Sequence, residues 1–79
     1  MIGDLLKTER KKAGLSQKAL GEKAGISYVA INRIENGTFP RLSIATRLFG
    51  AMGRKLIFTL EDADEIVTAP LNEANVSSL

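Results

Sequence analysis

The stretch Leu15-Ser-Gln-Lys-Ala-Leu-Gly-Glu-Lys-Ala-Gly-Ile-Ser-Tyr-Val-Ala-Ile-Asn-Arg-Ile-Glu-Asn-Gly37 holds two helix starts and two helix stops. Ser16 is a suitable N-cap, because its hydroxyl can accept one of the orphan N–H groups of a first helical turn; it predicts a helix over 17–24. Leu20 and Ala24 stand four apart and share a face of that helix. Gly25 breaks it. Ile26 is a residue of buried type, and Ser27 caps a further helix over 28–36, with Ile31 and Ile34 turned inward beside Val29 and Ala30. Asn36-Gly37 ends this helix, since both residues tolerate the left-handed conformation that closes one. The glycine-led turn lets the second helix leave at a steep angle and project from the body. A projecting helix of this diameter fits the major groove of B-DNA. On geometry alone, a purely structural helical hairpin competes with that reading.

Outward from this stretch the pattern stays helical. Residues 2–13 predict a helix with Ile2, Leu5, Leu6 and Ala13 near one face and Lys7, Lys11 and Lys12 outside it, ended by Gly14. Pro40 cannot continue a helix but can begin one, and 41–52 predict a helix with Leu42, Ala45, Leu48, Phe49 and Met52 at inward spacing, ended by Gly53. Then the period changes. In Arg54-Lys-Leu-Ile-Phe-Thr-Leu-Glu61, Leu56, Phe58 and Leu60 alternate with Ile57 and Thr59, which predicts one β-strand. From Asp62 the pattern dissolves, and 62–79 are expected to form an acidic tail, disordered when alone. The expectation is therefore an all-α body with one C-terminal strand, divided into a helix-turn-helix domain over 1–53, a dimerisation strand over 54–61 and a tail over 62–79.

Composition narrows the chemistry. The chain has 79 residues, enough for one small domain with a thin core. It has no cysteine, which excludes a disulfide framework or a thiolate metal site, and no histidine, which removes the commonest general base and metal ligand. With no long apolar span and no signal peptide, a cytoplasmic protein without a membrane partner is expected. The net charge of +2 conceals an asymmetry. Residues 1–55 hold all 11 Lys and Arg against four acids, a balance of +7, whereas 56–79 hold five acids and no base, a balance of −5. A basic body points to a polyanion partner and the acidic end to a different role, although ordinary solvated surface would look the same. Glu61, Asp62, Asp64 and Glu65 cluster, as carboxylates that bind a metal or share a proton do. They lead into a polar tail with no glycine at a calcium-loop position, so they read as solvated charges; no enzyme, cofactor or metal is expected.

The sequence resembles the phage-repressor/Cro-like, or XRE-type, helix-turn-helix family from about Ile2 to Gly53. The residues that carry the resemblance are Leu6 and Arg10, Leu15-Ser16-Gln17, Leu20, Ala24-Gly25-Ile26-Ser27, Ile31, Ile34-Glu35-Asn36-Gly37, Pro40-Arg41-Leu42 and Met52-Gly53. Two positions depart: Glu9 stands where an apolar residue is usual, and Gly21 where alanine is usual. Both read as local effects on stability, since mid-helix glycine costs about 1 kcal/mol relative to alanine. The resemblance implies that 28–36 is a recognition helix whose outward residues near the start are Ser27, Tyr28, Val29, Asn32 and Arg33. Arg33 suits guanine O6 and N7, Asn32 adenine or a phosphate, and Tyr28 and Val29 a thymine methyl, with partial core packing the alternative for Tyr28 and Val29. Gln17 is placed to bind a phosphate with its side chain at the start of its helix, and Asn36 and Gly37 offer backbone amides, and Arg41 a charge, to the other flank. Arg10 and Glu35 are expected to pair, linking the first helix to the end of the third.

A lone strand needs a ladder partner for its N–H and C=O groups. The same strand of a second copy, antiparallel across a two-fold axis, supplies one, through Leu56, Ile57, Phe58, Thr59 and Leu60. The alternative is a strand lying as an edge on its own body. A two-fold dimer presents two recognition helices to a palindromic operator in double-stranded DNA. Helical body, single strand and short acidic tail together resemble the Hip-type antitoxins of toxin–antitoxin operons. That resemblance implies a homodimeric repressor which also binds a kinase-type toxin protein, with a stand-alone phage or restriction-operon regulator of the Cro type as the alternative.

Overall fold

In the computed structural model, which describes residues 1–64, four helices follow one another: α1 (Ile2–Lys12), α2 (Gln17–Ala24), α3 (Tyr28–Glu35) and α4 (Leu42–Ala51). Local chemistry sets the central boundaries. Ser16 Oγ accepts from the Ala19 N–H at 3.0 Å, and Ser27 Oγ from the Val29 N–H at 3.2 Å. Between them Gly25 closes α2 in the left-handed conformation, with φ 71°. Arg10, Lys11 and Lys12 fill the last turn of α1, where the helix dipole favours cations.

The core gathers where the four helices meet. Leu6 of α1, Leu20 of α2, Ile31 of α3 and Leu48 of α4 are almost wholly buried, joined by Ala24, Ile34, Ala45 and Phe49. α2 packs on α3 and α4, and α1 packs on the same two helices. Leu15, Ile26 and Ile44 seal the edges. Leu5, Ala13, Val29 and Leu42, all expected at inward positions, are exposed, Ala13 because it lies past the last residue of α1. Leu5 is exposed because the buried stripe of α1 runs through Gly3, Leu6 and Arg10, a turn of about 100° from it. Leu42 is exposed because it opens α4 one turn before Ala45, the first buried residue of that helix.

Gly21 and Glu9, the two departures from the family pattern, both have structural partners. A Cβ on Gly21 would run into the backbone carbonyl oxygen of Ile26 and stand 3.3 Å from the Tyr28 nitrogen. Glycine here lets α2 close directly on the turn before α3, which sets a packing gain against its poor helix propensity. The Glu9 carboxylate, mostly buried, pairs with Arg54 at 3.2 Å and Lys12 at 3.6 Å.

Past α4 the expected strand is not formed within the single chain. Residues 54–64 carry neither helix nor ladder, since no second strand exists among the described residues to satisfy them. Leu56 packs partly against the core, whereas Ile57, Phe58, Thr59 and Leu60 are exposed, Leu60 fully so. Residues 65–79, most of the expected tail, lie outside the described residues.

Candidate nucleic-acid interface

The outer face of α3 is built by its inner one. Ile31 and Ile34 fasten the helix to the core, and at 3.6 residues per turn that leaves Tyr28, Val29, Asn32, Arg33 and Asn36 together on the solvent side. All five are exposed, including Tyr28 and Val29, for which partial core packing was the alternative. Ser27 sits at the start of this face, its hydroxyl engaged in capping.

Behind the face lies the expected ion pair, with both oxygens of Glu35 used. Arg10 Nε donates to Glu35 Oε2 at 2.7 Å and Arg10 Nη2 to Glu35 Oε1 at 3.0 Å, a two-pronged geometry that is both strong and directional. A third bond, from Arg10 Nη1 to the Leu15 carbonyl at 2.9 Å, ties the guanidinium to the loop before α2. The side chains are 10% and 4% exposed, so the pair is shielded from solvent screening. Burial opposes ionisation of Glu35, but hydrogen bonds from Arg10 and Gln17, with the charges of Arg10 and Lys7, outweigh it and hold the carboxyl below its usual range. The bond to Glu35 raises the pKa of Arg10 above its usual value against the opposing effect of burial, with the Glu35 charge adding to it.

From Glu35 a row of amides runs outward. Gln17 Nε2 donates to Glu35 Oε1 at 3.2 Å, Asn32 Nδ2 donates to Gln17 Oε1 at 3.3 Å, and Asn36 Nδ2 donates to the Asn32 carbonyl at 2.8 Å and Asn32 Oδ1 at 3.2 Å. Gln17 is therefore half-buried and oriented from behind, not a free side chain at the start of α2. Sequence reasoning found each of these residues but missed the bonds, because Gln17 and Asn32 meet only once α2 and α3 have packed.

On the far flank, Arg33 and Arg41 line an open cleft of about 330 Å³ together with Thr38, Pro40 and Ile44. Arg41 is the N-cap of α4 but contributes no side-chain cap, so the N–H groups of that first turn receive no capping bond from it. Two guanidinium groups beside such a turn make an electropositive edge suited to phosphate oxygens. The structure thus brings Gln17, Asn32 and Asn36 into one bonded row, sets Arg33 and Arg41 along one cleft, and leaves Tyr28 and Val29 at the free start of α3.

The family model described as helix-turn-helix matches residues 6–58 of this chain. The chain is also 36% identical, over 62 residues, to an uncharacterized HTH-type transcriptional regulator of Methanothermobacter thermautotrophicus; the match covers 77% of this chain and 90% of the relative. No solved structure was found to match.

Proposed function

The chain belongs to the helix-turn-helix family, and we propose that it is a sequence-specific DNA-binding transcriptional repressor that reads a palindromic operator as a homodimer. The observation that carries this reading is the outer face of α3, where five exposed side chains stand on a helix fastened from behind by Ile31, Ile34 and the Arg10–Glu35 pair. Arg33 bonds a guanine edge in two-pronged fashion, and Tyr28 and Val29 meet a thymine methyl. Gln17, Asn36 and Arg41 hold phosphates on either side, with Ser27 at the groove edge. The experiment is affinity for the operator and its single-base-pair variants. Arg33→Ala is expected to lower operator affinity by roughly 1–3 kcal/mol and relax one position per half-site, and Gln17→Ala to weaken all sequences alike. An Arg33→Ala protein with unchanged sequence preference would put the reading face elsewhere.

The dimer forms through residues 54–61, with Leu56, Ile57, Phe58, Thr59 and Leu60 pairing antiparallel to the same segment of a second copy. What supports this is the apolar, unpaired segment anchored at Arg54 and Leu56 and otherwise open. The finer role we propose is that of an antitoxin which also binds a kinase-type toxin protein, supported by the order of helical body, apolar segment and acidic end. Co-expression with the product of the adjacent gene tests it, with a stable complex as the expected result. A neighbour that does not associate favours the stand-alone phage or restriction-operon regulator, the reading closer to the relative, whose name speaks of transcriptional regulation alone.

A further inference from the structure

Asn32 shares the exposed face of α3 with Arg33, yet each polar atom of its side chain already has a protein partner. Its Nδ2 donates to Gln17 Oε1 and its Oδ1 accepts from Asn36 Nδ2, while its backbone carbonyl accepts from the same Asn36 amide. A two-pronged adenine contact needs both polar atoms of an Asn side chain on one edge, and here the amide plane is set by two protein partners instead. Those partners are the two groups placed for phosphates, Gln17 at the start of α2 and Asn36 at the end of α3. Gln17 is held in turn by Glu35, and Glu35 by Arg10. An amide oriented before DNA arrives loses less rotamer freedom on binding than a free one.

We propose that Asn32 is a positioning residue, not a base reader: it spans α2 and α3 so that Gln17 and Asn36 are held as one preformed unit across the recognition helix. This rests on the DNA-binding reading above. The effect it predicts is indifferent to base sequence, because what Asn32 orients are contacts to the backbone of the duplex. It also makes Asn32 and Gln17 interdependent, since a Gln17 side chain without its brace is loose and a brace without Gln17 holds only Asn36, whose bond to the Asn32 backbone carbonyl does not need the Asn32 side chain.

The test begins with an operator selected by the wild-type protein from a randomised duplex pool. Asn32→Ala, Gln17→Ala and the double variant are then measured on that operator and on its single-base-pair variants. Asn32 is exposed and caps no helix, and thermal unfolding checks that each variant is folded. Asn32→Ala is expected to weaken binding about three- to tenfold, by the same factor on every duplex, with the double variant weaker than Gln17→Ala alone by clearly less than that factor. In the free protein the side-chain amide resonances of Gln17 should shift on Asn32→Ala, the signature of the bond between them, while unchanged base discrimination separates positioning from base reading. Lost discrimination at one base pair, multiplying effects in the double variant, unchanged affinity, or unmoved Gln17 resonances would each overturn the proposal while leaving the DNA-binding reading intact. A wild-type protein that selects no sequence would overturn that reading and this inference with it.

Discussion

At the scale of single residues, the side chain on which most depends is Glu35. It is the meeting point of Arg10 and Gln17, so it joins the core to the row of amides on the outer face of α3. Glu35→Gln keeps the shape but leaves the Arg10 charge buried without its counter-ion, a change that costs about 3 kcal/mol or more when such a pair is broken from one side. That is a large share of the stability of a small domain. The pH dependence follows from the direction of the shift. The folded-state pKa of Glu35 is lowered, so its contribution is fully present above the unfolded value and disappears as pH falls through the lower folded value. Urea unfolding of the wild type should thus show a midpoint that declines as pH falls through and below the ordinary carboxylate range. Glu35→Gln should start lower and decline less. Parallel curves for the two proteins would mean that the pair contributes nothing to folding.

At the scale of elements, the legible parts were those whose boundaries are set by neighbours in sequence. Ser16, Gly25, Ser27 and Asn36-Gly37 marked the ends of α2 and α3 to within a residue, because caps and left-handed turns act locally. Leu5, Ala13 and Leu42 misled, since spacing gives a face but not the width of the groove that receives it. The row from Glu35 through Gln17 to Asn32 and Asn36 could not be read at all from spacing, because it exists only between packed helices. The segment 54–61 is a different case: its alternation reads as a strand, and its single chain offers nothing to pair with. Glu9 and Arg54 fix where this segment leaves the body, and Phe58 and Leu60 lie beyond that anchor in solvent. If two copies pair there, Phe58→Asp places a charge in the interface at a cost of about 2–3 kcal/mol. Sedimentation should then show the wild type dimeric at tens of micromolar and the variant shifted toward monomer. A wild type that sediments as a monomer would leave 54–61 without this role.

At the scale of the whole molecule, the division of charge governs how the chain meets DNA. The body through Lys55 carries the basic excess, and no described helix is long or apolar enough to cross a membrane. A chain ending at Glu61 loses Asp62, Asp64, Glu65 and Glu73 and no base. It should hold or slightly improve operator affinity, most at low salt where screening is weak, and under the antitoxin proposal it should bind the adjacent gene's product less well. Lost DNA binding on truncation would show that the acidic end supports the interface instead of being repelled by it. The central claim is that α3 of each of two copies reads one half of a repeated sequence. Selection of bound duplexes from a randomised pool by the full chain tests it most directly. The account predicts an enriched inverted repeat whose half-site centres lie about one helical turn, roughly 10 base pairs, apart. A pool retained without preference for any sequence would contradict it.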